Sequence, residues 1–149
     1  MVLNREQSIS VLYDLAMTMA GETAARPLAT AMLQRLMVHT GCACGALVLR
    51  RRGGEEGAAQ VYAAIGNKAL RTLEGRQANW PAGLLAGTIE ESAQGWFAGG
   101  EKYRYALSLR LPELGCILLF SARPPEHAKE SKRVLASILG KFARSLGHC

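Results

Sequence analysis

A chain of 149 residues is about the size of one domain, which argues against two separate cores. Its composition, 49% hydrophobic and 20% charged, is ordinary for a globular protein and argues against a disordered tail or a secreted mini-protein. The formal charge of +6 raises the question of a nucleic-acid partner, but the excess sits in residues 101–149, where nine basic residues face four acidic ones.

Asn4 followed by Gln7 reads as a capping box, and Ile9, Leu12, Ala16 and Met19 then fall at helical spacing up to Gly21. This predicts a first helix over 4–20. Val11 and Leu15 add a second apolar strip, and a helix with two apolar sides calls for two packing partners, one of which can be another chain. Pro27 suits the first turn of a second helix over 27–40, with Leu28, Met32, Leu33 and Leu36 as its stripe and Gly41 as its C-terminal cap.

Ala46–Leu49 and Val61–Ile65 read as two strands of a hairpin, joined by Arg50-Arg51-Arg52 and the turn glycines Gly53, Gly54 and Gly57. From Gly66 to Gly100 the periodicity fails, apart from a short helical piece near Lys68–Leu73. A long irregular stretch inside a compact domain is a place to look for a binding site, and this one carries Trp80, Trp96 and Phe97. Tyr103, Tyr105, Leu107, Leu109 and Leu111 then alternate with Lys102, Arg104, Ala106, Ser108 and Arg110, which predicts a half-buried strand. Cys116–Phe120, after the turn Pro112–Gly115, is apolar on both faces and so central in a sheet. Leu135, Ile138, Leu139, Phe142 and Leu146 define a terminal helix over 126–147. Sheet and loop region together span 44–122 within one unit of 1–149. Hairpin-joined strands with helices at both ends predict an α+β layer structure built on an antiparallel sheet.

No apolar run reaches the roughly 18–20 residues of a membrane-spanning helix, and Met1–Leu3 leads into Asn4-Arg5-Glu6-Gln7 with no export signal. Cys42, Cys44, Cys116 and Cys149 read as reduced thiols, so the expected compartment is cytoplasmic.

The run Leu12-Tyr13-Asp14-Leu15-Ala16 leads through Leu28 and Met32-Leu33 to Thr40-Gly41-Cys42 and the strand Gly45–Leu49. Together with the close, Glu113-Leu114-Gly115 then Cys116–Phe120 and a terminal helix, it resembles the GAF domain, in the style of the N-terminal sensory GAF domains of bacterial sensor histidine kinases. That resemblance implies a sheet of about five to six antiparallel strands, with the terminal helices on one face and a loop-roofed pocket on the other. It also implies dimerisation through the first and last helices. Family signatures tied to particular ligands are missing. Asn67-Lys68 continues as Ala69-Leu70 and departs from the Asn-Lys-Phe-Asp-Glu motif of cyclic-nucleotide-binding members. Residues 66–100 contain none of the cysteines that bilin attachment or methionine-sulfoxide reduction requires.

The pocket candidates are Tyr62, Trp80, Leu84, Trp96 and Phe97, with Arg104 and Ser108 as the polar contacts; the aromatics either roof a ligand or fill the space themselves. The dimer candidates are Leu12, Leu15, Met19, Leu135, Ile138 and Phe142. Cys42-x-Cys44 and Cys116 leave open a stand-alone thiol redox enzyme, though small buried core residues describe them more simply. His39, His127 and His148 are scattered, and a haem or metal sensor would need one of them aimed into the pocket. No cofactor is evident and no metal ligand set is assigned. Arg50-Arg51-Arg52 and the basic terminal helix lack any nucleic-acid-binding motif, and a solvated charged face accounts for them. The expected role is a non-catalytic regulatory module that couples an unknown small ligand, or partner contact, to the output domain of a longer signalling chain. The apolar stripe of the terminal helix running almost to Cys149 fits such a continuation.

Overall fold

The structure, a computed structural model, describes residues 5–50, 58–79, 99–124 and 128–147. Helix α1 (Arg5–Ala20) closes where the Gly21 N–H reaches the Met17 carbonyl at 3.1 Å. Helix α2 (Ala25–Thr40) starts two residues before Pro27, which lies in its first turn, where a missing N–H costs no helical bond. It stops at Gly41, whose φ of 74° is left-handed and whose N–H bonds the Met37 carbonyl at 2.9 Å.

Strands β1 (Cys44–Arg50) and β2 (Ala58–Ile65) follow, then a single helical turn α3 (Lys68–Arg71) and the short β3 (Gln77–Asn79). A 3₁₀ turn at Gly100–Lys102 precedes β4 (Tyr105–Leu111), β5 (Gly115–Ser121) and helix α4 (Ala128–Gly147). The five strands form one sheet in the order β3-β2-β1-β5-β4, antiparallel throughout. The first and last hairpins therefore meet along β1 and β5, from Cys44 opposite Phe120 to Leu49 opposite Gly115. Gly115 is required there, since a Cβ at that position would collide with the Val48 carbonyl oxygen.

Helices α1, α2 and α4 cover one face. Leu15, Leu28, Met32, Leu33, Leu36, Leu135, Leu139 and Phe142 pack there against Leu47, Leu107, Leu109, Ile117 and Leu119. Every residue of β5 is buried, as its two apolar faces require. Strand β4 departs from the half-buried expectation. Its second face, Ala106 and Ser108, is buried as well, and only Arg110 is exposed. A small residue and a hydroxyl read as a solvent face in sequence, but both are light enough to go under cover once the hydroxyl finds a partner.

Two polar ties hold the helical layer. The Asp14 carboxylate of α1 accepts from Arg35 Nε at 2.8 Å and meets His39 Nε2 at 2.8 Å, both on α2. Arg26, at the start of α2, reaches the open edge of β2 beyond β3. Its Nη1 donates to the Tyr62 carbonyl at 3.1 Å and its Nη2 pairs with Glu74 Oε2 at 2.7 Å. Glu74 Oε1 accepts the Ala64 N–H at 2.9 Å, so this ion pair stands in for the strand that is missing along that edge.

Candidate functional site

The sheet face away from the helices is the candidate site. Its floor is Cys44, Ala46 and Val48 of β1, Ala59, Val61 and Ala64 of β2, Ala106 of β4, and Cys116, Leu118 and Phe120 of β5. Leu70 of α3 and Tyr103 join the same buried cluster. The side chains are mostly small, in contrast to the leucines of the helix-covered face.

A hydrogen-bonded corner fixes one end of this floor. The Asn67 side chain caps α3 by accepting the Leu70 N–H at 3.0 Å, and its Nδ2 donates to the Tyr103 hydroxyl at 3.2 Å. Alternation placed Tyr103 on the face of Leu107, but Tyr103 precedes β4 and its ring turns to the opposite side. The sequence signal that could have found the floor is the size alternation in β1, where Cys44, Ala46 and Val48 interleave with Leu47 and Leu49.

Of the pocket candidates, Ser108 lies at the floor, 1% exposed, beside Cys116. Arg104 is exposed and outside the buried cluster. Tyr62 is on the wrong side. A bulge puts Leu47 opposite Ala63 but Val48 opposite Val61, so Tyr62 is the extra residue, and it packs with the helix-side core instead. Arg26 lies over its ring, 5.9 Å from the centroid. Trp80, Leu84, Trp96 and Phe97 lie outside the described residues, as do His127, His148 and Cys149.

Four of the six dimer candidates need correcting too. Leu15, Leu135, Ile138 and Phe142 are buried in the chain's own core, and Leu12 and Met19 are partly buried against it. Their helical spacing reports a packed stripe without saying which surface packs on it, and here the sheet does. Among the described residues, the large apolar side chains left outside are Ile9, Tyr13 and Met17 of α1, at 56%, 67% and 55% exposure, and Val38 of α2 at 60%.

The thiols have a consistent character. Burial pushes Cys44 up to about 11, against a smaller pull from the Tyr103 hydroxyl, and Cys116 up to about 12, against the pull of Ser108. Cys42 is also raised by burial. Thiols held protonated at neutral pH are poor nucleophiles, which is the opposite of what a redox cysteine needs. His39 is tied to Asp14 between the helices, on the other side of the sheet from the floor. Among the described residues there is no group of three or more His, Cys, Asp or Glu that could hold a metal ion. No helix among them is long and apolar enough to cross a membrane.

The arrangement superposes over nearly its whole length on the GAF domain of an Acinetobacter phosphoenolpyruvate-protein phosphotransferase, with a TM-score of 0.73. The match covers 95% of this chain and 93% of that one at 10% identity. The fold is that of a GAF domain. A GAF domain of a putative sensor histidine kinase from Pseudomonas syringae pv. tomato matches 94% of this chain and 87% of its own at 20% identity and a TM-score of 0.59. The phycocyanobilin-bound GAF domain of a cyanobacterial phytochrome matches 99% and 96% at 13% identity and a TM-score of 0.60. No protein-family model and no curated protein matches the sequence. The shared element is thus the GAF architecture itself, and the chemistry at the floor has to be read from this chain's own residues.

Proposed function

We propose that this chain is a regulatory, non-catalytic GAF module of a cytoplasmic signalling protein, binding a small ligand over the far face of its sheet, dimerising, and passing occupancy to an output domain. The observation that carries the reading is the asymmetry of the sheet. One face is closed by three helices, while the other offers a floor of mostly small side chains, with a polar corner at Asn67 and Tyr103 and a buried hydroxyl at Ser108 beside Cys116. In this reading the ligand lies against these small side chains, and the buried polar groups orient it. One structural neighbour is a GAF domain bound to phycocyanobilin and another comes from a putative sensor histidine kinase, which supports a ligand-sensing role and a kinase as output.

The dimer surface in this reading is the outer side of α1, where the exposed Ile9, Tyr13 and Met17 recur every four residues. Light scattering of the wild type and of Tyr13→Glu/Met17→Glu tests it. The wild type is expected at twice the monomer mass, and the double variant at the monomer mass with an unchanged circular dichroism spectrum. A wild type that stays monomeric at high concentration removes the dimer from the reading.

A further inference from the structure

A second cleft lies away from the far-face floor, between α2, the end of β2 and α3. It is open to solvent, has a volume of about 190 Å³, and is lined by Arg26, Thr30, Ala64, Ile65, Gly66, Arg71 and Glu74. We propose that this cleft binds a small oxyanion, a carboxylate or a phosphate group, through Arg71, Thr30 and the Gly66 amide.

The charge of the cleft argues for an anion. Glu74 is the one carboxylate in the lining, and both of its oxygens are engaged, Oε2 by Arg26 at 2.7 Å and Oε1 by the Ala64 N–H at 2.9 Å. Arg26 and Glu74 cancel each other and hold the wall in place, with Arg26 further fixed by the Tyr62 carbonyl and ring. The guanidinium of Arg71 is left as the unbalanced charge. It has no hydrogen-bond or ion-pair partner among the described residues, and neither do the Thr30 hydroxyl and the Gly66 N–H. All three can donate, and the lining carboxylate is already charge-paired with Arg26. A cation would meet only a neutralised Glu74, whereas an oxyanion would satisfy three open donors, with Arg able to bind it in a bidentate fork.

The size narrows the class. A cleft of about 190 Å³ holds inorganic phosphate or a short carboxylate, and it is below the roughly 300–1,000 Å³ of pockets that enclose drug-sized ligands. Solvent access also makes the binding sensitive to salt.

Amide chemical-shift titrations with inorganic phosphate and, separately, with succinate test the proposal and tell the two sources apart. The expected result is saturable shifts centred on Gly66, Thr30 and Arg71 for at least one of the two anions. Arg71→Gln should weaken that binding about tenfold or more, as loss of a charged hydrogen bond does, and Thr30→Val should weaken it less. Lys141→Gln, on the exposed side of α4, should leave the affinity as in the wild type. Arg71 is itself exposed, so its substitution is not expected to disturb folding, and the dispersion of the spectrum checks that directly. The proposal is overturned if neither anion gives saturable shifts at these amides, or if Arg71→Gln binds as the wild type does. It is equally overturned if Lys141→Gln lowers the affinity as much as Arg71→Gln. The far-face and dimer readings stand or fall separately, since none of these residues belongs to either surface.

Discussion

The two faces of the sheet are made from the same strands and meet opposite requirements. On the helix side, Leu47, Leu107, Leu109, Ile117 and Leu119 present long branched side chains to three helices, and the interface closes on itself. On the far side the same strands offer Cys44, Ala46, Ala106, Ser108 and Cys116. Alternating large and small residues along one strand costs nothing in sheet pairing, because successive side chains point to opposite faces. It lets a single sheet carry one face of long branched side chains and another made mostly of small ones. The polar groups divide in the same way. On the helix side the ion pairs of Asp14 and Glu74 tie elements together at the rim, whereas Ser108 and Tyr103 sit buried within the far face.

Phe142→Ala is the strongest way to break this comparison. Phe142 is fully buried between α4 and the sheet, and its truncation should destabilise the chain by about 3–5 kcal/mol in urea unfolding. A much smaller loss would mean that the helical layer is not the structural side. Ala46→Leu probes the other face with an added side chain instead of a deleted one. Ala46 is buried, so overpacking should cost about 1–3 kcal/mol. A cost near zero would show free volume directly above β1 and move the ligand space to that point.

The smallest effect is expected at the rim. Arg35, then His39, holds the Asp14 carboxyl below its ordinary value. A lowered carboxylate pKa contributes stability that is present above the unfolded value of 3.8 and lost as pH falls through the folded one. Asp14→Asn should therefore flatten the acid limb of a Tm-against-pH curve. At neutral pH it should change stability by less than about 1 kcal/mol, because the pair is partly exposed.

Much of the fold was legible residue by residue. The stripe Leu135, Ile138, Leu139, Phe142 marked α4, the doubly apolar run Cys116–Phe120 marked a central strand, and Gly41 marked the end of α2. The site was less legible. Tyr62 was misplaced because alternation has no means of showing a bulge, which depends on how β2 is paired with β1. Leu15, Ile138 and Phe142 were assigned to a partner because an apolar stripe looks the same whether its own sheet or another chain covers it. Tyr103 was put on the wrong face because the alternation was extended past the start of β4.

The residues alone carried the identity and order of the helices and of four of the five strands, since periods of 3.6 and 2 and the capping glycines act over a few residues; the three-residue β3 is too short to show a period. Which strip of each element is covered was settled by contacts far apart in the chain, above all the pairing of β1 with β5 and the docking of α1, α2 and α4 on one side. Burial belongs to surfaces brought together from distant segments. It is this assembly that leaves Tyr13 and Met17 outside, sets the small side chains of the far face as a floor, and gathers Thr30, Gly66 and Arg71 around one cleft.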